Sequence, residues 1–136
     1  MATGSLLILD TDVLIDFFRG VEAAQRYIRD LPVERRATTD VTRLELYRGA
    51  RNARELRTIE RFLSTNFPTV LPISAPASRM AVELIKRYAL SHGLSPPDAL
   101  IAAIALNVKG TLISGNYRDF ACVRGLKVQA PPYRGT

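Results

Sequence analysis

Four acids in this chain stand where a reaction centre could be built: Asp10, Glu45, Asp98 and Asp119. Each one borders or lies within an apolar segment rather than in a charged run. Asp10 ends the aliphatic run Leu6-Leu-Ile-Leu9, and Glu45 lies in the stretch Val41 to Arg48. Asp98 follows Ser95-Pro-Pro, and Asp119 follows Leu112-Ile-Ser114-Gly-Asn116. Carboxylates brought within a few ångströms of one another repel and raise each other's pKa unless a cation is present. Hard divalent ions such as Mg²⁺ or Mn²⁺ suit such a cluster, because they take oxygen ligands, keep waters and bridge to phosphate. With one histidine, His92, and one cysteine, Cys122, any metal would be held by oxygen, and no internal disulfide is available. A carboxylate-bound ion of this kind can lower the pKa of a water, align it with a phosphodiester and neutralise charge on the departing oxygen.

The elements that must position these acids follow from the apolar pattern. Four consecutive aliphatics ending at Asp10 read as a short strand buried on both faces, as in the centre of a parallel sheet. Asp10 then lies at a strand carboxyl end, where open α/β sheets bind ligands. A helical pattern runs from Val13 to Phe18, and another from Glu22 to Leu31 ends at Pro32. Ala37-Thr-Thr39 is a weak strand; Thr39 or Asp40 can cap a helix over Val41 to Arg48 that stops at Gly49. From Asn52 to about Leu63 a helix places Leu56, Ile59 and Leu63 on one face and Arg54, Arg57 and Arg61 on the other, a basic stripe. Val70-Leu-Pro-Ile73 reads as a strand near an edge, because Pro72 lacks a donor. Pro76 opens a helix that ends at Gly93 in a left-handed cap, and Ser95 starts another that is apolar almost all round from Ala99 to Leu106. Thr111 to Ser114 is a buried strand and Gly125 to Gln129 an edge strand. Strands alternating with helices give one α/β domain over residues 1–136, with right-handed crossovers and the strand carboxyl ends on one side.

Each acid also has a purely structural reading. Asp10 or Asp12 can cap the first helix. Glu45 faces the packed side or its rim, with Arg48 as a salt-bridge partner. Ser95-x-x-Asp98 has the form of a capping box, and Asn116 that of an Asx-turn residue. Asp119 reads alone as a solvated acid. Jointly these readings weaken, because four junctions or first turns present a carboxylate toward the same side of one sheet.

The chain carries 19 Lys and Arg against 13 Asp and Glu, for a net charge of +6. That balance favours polyanionic partners without choosing between nucleic acid and anionic membrane. The run Ala99 to Leu106 is too short to span a bilayer, so no transmembrane segment or signal peptide is expected, and the expected location is the cytoplasm. The arginine stripe Arg54, Arg57 and Arg61 would suit a phosphate backbone.

These segments resemble the PIN-domain family, and within it the VapC-type ribonuclease toxins, over nearly the whole chain. The resemblance rests on Leu7-Ile-Leu-Asp10-Thr-Asp-Val-Leu-Ile-Asp16, Thr42-Arg-Leu-Glu45-Leu-Tyr-Arg-Gly49, Pro97-Asp98-Ala-Leu-Ile-Ala-Ala103 and Leu112-Ile-Ser-Gly-Asn116-Tyr-Arg-Asp119-Phe. It implies a three-layer α/β/α sandwich around a central, mainly parallel sheet of four to five strands. It further implies a homodimer, Mg²⁺- or Mn²⁺-dependent endoribonuclease action on RNA, and inhibition by a VapB-type antitoxin. Asp10, Glu45, Asp98 and Asp119 become the catalytic and metal-holding quartet, with Ser114 and Asn116 as polar support. Ser114 stands where threonine is more frequent, which keeps the hydroxyl. Asp12 stands where a small neutral polar residue is frequent, and is expected to cap the helix rather than form a fifth pole of the site. The opening Asp10-Thr-Asp12 also fits haloacid-dehalogenase-like phosphatases, but Lys86, Lys109 and Lys127 do not supply the lysine that chemistry needs. A receiver domain would need an acid after Val70 to Ile73, where Ser74 stands. A non-catalytic binding module would have no need of all four acids. A housekeeping RNA-processing nuclease is the alternative that the acids do not separate from a toxin.

Overall fold

The computed structural model describes residues 5–134. The aliphatic run at its start forms β1 (Leu7–Leu9), which pairs in parallel with β2 (Arg36–Thr39) on one side and β4 (Thr111–Ile113) on the other. The edges are β3 (Thr69–Leu71) and β5 (Lys127–Gln129), so the order is β3-β2-β1-β4-β5 and every pairing is parallel. Side chains alternate across this sheet as strand geometry requires. Ile8 and Leu112 enter the core beneath α5 (Ala75–His92) and α6 (Pro96–Val108). Leu9 and Ile113 enter the opposite core, shared with α1 (Thr11–Phe18), α2 (Glu22–Asp30), α3 (Asp40–Arg48) and α4 (Ala53–Asn66). The result is the expected α/β/α sandwich, completed by the short helix α7 (Tyr117–Phe120).

The order of the strands decides where a site can open. From β1 the chain crosses to β2 on one side, whereas β4, reached through α5 and α6, lies on the other. The crevice above the carboxyl ends of β1 and β4 is thus the topological switch point of the sheet, where ligands bind in such folds. Asp10 follows the first of these strands and Ser114 the second.

Several boundaries differ from the sequence reading for identifiable reasons. Helix α1 begins at Thr11 because Asp10, not Asp12, is its cap: the Asp10 carboxylate accepts the Thr11 backbone N–H at 2.7 Å. Strand β2 begins one residue early, at Arg36, whose guanidinium is buried and donates to the carbonyls of Leu31 and Arg29, each at 3.1 Å. It thereby satisfies carbonyls that the end of α2 leaves without partners. Helix α4 continues past Leu63 to Asn66, and β3 stops at Leu71, leaving Pro72 outside the ladder. Gly93 does adopt the left-handed cap, at φ 70°. Lys109 closes α6 in the same region at φ 56° without a glycine. The glycine follows it at position 110, where a Cβ would stand 2.8 Å from Ile8 Cδ1, so what is needed there is close packing on β1.

Helix α6 carries Ala99 and Ile101 to Ala105 at 2% exposure or less. Burying so much apolar surface against the sheet fixes the helix rigidly, and its polar first turn, capped by Ser95, is carried to the same crevice. Among the described residues no helix is long and apolar enough to cross a membrane.

Candidate active site

Asp10 is the best-fixed acid of the crevice. It is 4% exposed, and its two carboxylate oxygens are divided between two donors. One accepts the Thr11 N–H at 2.7 Å, the other the Ser114 hydroxyl at 2.8 Å. The Ser114 hydroxyl oxygen in turn accepts the Asn116 backbone N–H at 2.9 Å, so β4 and the turn after it hold the acid from across the sheet. Burial nonetheless pushes the Asp10 carboxyl up to about 7; the Ser114 and Thr11 hydrogen bonds oppose that, and the charges of Asp12 and Asp98 add to it.

Asp98 lies in the first turn of α6, where its N–H is capped by the Ser95 hydroxyl at 3.3 Å. Capping therefore occurs as the sequence suggests. It does not account for the environment, because burial and the charges of Asp119, Glu45 and Asp12 raise the Asp98 carboxyl while Ser95 lowers it. Five carboxylates thus act on one crevice. Of the two places expected for Glu45, the packed side or its rim, it takes the rim: it is exposed and lines a groove, and its Oε1 accepts the Thr11 hydroxyl at 2.6 Å where Arg48 was the expected partner. Thr11 Oγ1 also lies 3.0 Å from Thr42 Oγ1, which ties α1 to α3 directly beside the cleft. Asp119 is exposed in α7, its N–H donating to the Asn116 carbonyl at 3.0 Å, and the Asn116 side chain makes no capping bond.

Asp12, expected to cap, instead sits inside the first turn of α1. Both of its carboxylate oxygens are buried and accept no hydrogen bond. Burial raises its pKa, and the Arg134 guanidinium and the Val13 and Gly115 amides offset part of that without standing in hydrogen-bonding geometry. The arginine stripe is also divided. Arg54 lines the groove that contains Glu45, together with Ile15, Phe18 and Ile59, whereas Arg57 and Arg61 line a second groove with Arg43 and Tyr47.

Three partners went unread in the sequence: Thr11, Asp16 and Arg134. Thr11 carries a weak signal, a hydroxyl directly after a strand-end acid. Tyr133 and Arg134 reach Asp16 from the far end of the chain, and no local pattern marks that contact.

A buried carboxylate and half-buried ones beside it, their pKa values raised by burial and by neighbouring acids and one of them with no hydrogen-bond donor, form an incompletely compensated anionic site. Its donors are all oxygen, the set that fits Mg²⁺ or Mn²⁺. As the side chains stand, no three acids among the described residues lie close enough to ligate one ion together.

The same residues match a known family: positions 7–126 align with the PIN domain. The chain belongs to the PIN-domain family. Ribonuclease VapC19 of Mycobacterium tuberculosis is 33% identical over 129 residues, 93% of this chain and 98% of that one. Ribonuclease VapC10 of the same species is 35% identical over 105 residues, 74% of each chain. A toxin–antitoxin complex from Klebsiella pneumoniae superimposes with a TM-score of 0.76 at 30% identity, covering 92% of this chain and 97% of that one. A DNA-bound VapBC from Salmonella typhimurium shares this PIN fold at a TM-score of 0.79, 23% identity and coverage of 93% and 98%.

Proposed function

We propose that this PIN domain is a divalent-metal-dependent endoribonuclease and the toxin of a toxin–antitoxin pair. The observation that carries the reading is the placement of Asp10 and Asp98 at the switch-point crevice, the first buried and the second half-buried, and both raised in pKa by burial and by neighbouring acids. The ribonuclease names of the 33% and 35% identical relatives support the substrate class. The 30% identical neighbour, itself a toxin–antitoxin complex, supports a partner of VapB type.

In this reading Asp10 and Asp98 hold Mg²⁺ or Mn²⁺, with Glu45 and Asp119 completing the anionic rim. When bound, such an ion supplies Lewis acidity toward the phosphodiester and lowers the pKa of a water. Ser114 holds Asp10 in one rotamer, and Thr11 does the same for Glu45. Arg54, in the groove beside Glu45, binds the RNA backbone next to the scissile bond. Arg57 and Arg61 bind it farther off. The apolar floor of the Glu45 groove, with Ile15, Phe18 and Ile59, suits an antitoxin segment that buries apolar side chains and sets a cation among the acids.

The purified protein is expected to cut RNA internally with Mg²⁺ or Mn²⁺ and not in EDTA. Attack by water rather than by the ribose 2′-hydroxyl leaves 5′-phosphate and 3′-hydroxyl ends. Full activity in EDTA, or 2′,3′-cyclic phosphate products, would refute the reading.

A further inference from the structure

The last described turn of the chain, Pro132–Arg134, folds back over α1 beside the acid crevice. Pro131 is buried ahead of it, and the Tyr133 ring meets the Tyr27 ring edge-on at 6.0 Å between centroids. From this anchorage the Tyr133 hydroxyl donates to Asp16 Oδ2 at 2.9 Å, and Arg134 Nε and Nη2 reach the same oxygen, each at 2.9 Å. Arg134 Nη1 lies 3.7 Å from Asp12 Oδ2. Asp12 and Asp16 are one helical turn apart on the same face of α1, so a single planar guanidinium spans both. Gly115 supplies the space: a Cβ there would stand 2.6 Å from Arg134 Nη1 and 2.7 Å from its Cδ. Among the described residues Arg134 is the one side-chain cation in ion-pair distance of Asp12, whose oxygens otherwise lack a partner.

We propose that Arg134 is a resident cation of the acid site: it takes the position between Asp12 and Asp16 that a second divalent ion would need. Metal binding is thereby confined to one ion, on the Asp10 and Asp98 side. This rests on the metal-nuclease reading only in taking the crevice to bind a divalent ion. Arg134 is a positioning residue, since it touches neither the scissile bond nor Asp10. With the guanidinium in place, Asp12 and Asp16 are engaged by a fixed positive charge. Without it, two carboxylates one turn apart face an already anionic crevice, and a hard cation replaces the lost charge.

Titration of Mn²⁺ into the metal-free, full-length protein, followed by calorimetry and by the electron paramagnetic resonance signal of free Mn²⁺, tests this without RNA. One ion per chain is expected for the unaltered protein. Arg134→Met, which keeps the stem and removes the charge, is expected to bind two, the second at least tenfold tighter than any second ion in the unaltered protein. Arg134→Lys is expected to return the count to one. Arg134 is partly exposed at a terminal turn, so these variants leave both cores untouched. Equal counts for the unaltered protein and Arg134→Met overturn the proposal, as does an unaltered protein that binds two ions or none. Cleavage of RNA is scored separately. A count rising from one to two in a protein that cuts no RNA sinks the nuclease reading and leaves Arg134 assigned; cleavage with unchanged counts does the reverse.

Discussion

The cap and site readings of Asp10, which the sequence left as alternatives, do not exclude each other, because its two oxygens face different partners. Its raised pKa has a consequence for stability. The folded carboxyl titrates near 7 and the unfolded one near 3.8, so the folded state holds its proton more tightly. The stability that this proton contributes is complete below about pH 4 and is lost as pH rises toward 7. At ~1.4 kcal/mol per pKa unit the whole loss is about 4 kcal/mol in the absence of metal. Asp10→Asn removes the charge and is therefore expected to raise the thermal midpoint in EDTA at pH 8, with the gain vanishing near pH 4, while cleavage falls ~100-fold or more. Thermal scans at the two pH values and a cleavage assay check both. A midpoint lowered equally at both pH values would show that Asp10 is held by its hydrogen bonds rather than strained by its charge. Ser114→Ala acts the other way. Removing a donor to a buried carboxylate costs about 1–3 kcal/mol and moves the Asp10 pKa farther up, whereas Ser114→Thr keeps the hydroxyl. Carboxyl chemical shifts followed through a pH titration of the metal-free protein read that order directly.

At the scale of elements, the apolar runs and caps were legible because they are local. Leu6 to Leu9 announced a central strand, and Gly93 and Ser95 marked the ends of neighbouring helices, since caps depend on residues three or four positions away. The position of Asp10 was legible for the same reason, since it ends a strand whose burial fixes its direction, whereas Glu45 lies inside α3 and its Thr11 partner has no local signal. What crosses between elements was not. The Thr11 bond to Glu45 joins residues 34 apart and the Arg134 bond to Asp16 residues 118 apart, and neither has a local signature. Helix periodicity likewise put three arginines on one face of α4 but could not say that the face is a ridge between two grooves. That division separates their effects. Arg57→Ala is expected to weaken RNA binding and reduce the salt slope by about 0.7 for a single strand, with little change in rate at saturation. Arg54→Ala, beside Glu45, is expected to lower the rate at saturation as well. Binding measured across a salt series, with single-turnover rates, distinguishes them; identical effects of the two substitutions would mean that the ridge acts as one surface.

The molecule as a whole sets an acidic crevice in a chain of net charge +6. Its apolar surface bears on assembly. Tyr27, Tyr47 and Phe62, aromatic residues that the sequence offers for a contact between copies, are each partly buried against the core shared by α1 to α4. The most exposed aliphatic side chains open to a second copy are elsewhere: Val82 is 58% exposed and Leu90 fully so, two turns apart on α5. Large aliphatic side chains at that exposure cost free energy in water at roughly 25 cal/mol per Å² of apolar surface, which two-fold pairing of the same patch removes. A dimer of twice 15.1 kDa is therefore expected by light scattering. Leu90→Glu would bring like charges together in an isologous contact, because every residue near the two-fold axis meets its own copy, and is expected to shift the mass to that of one chain without lowering the thermal midpoint of the fold. If the unaltered chain scatters as a monomer at tens of micromolar, the α5 surface is not where copies meet. If instead it stays dimeric after Leu90→Glu, the contact lies on another face.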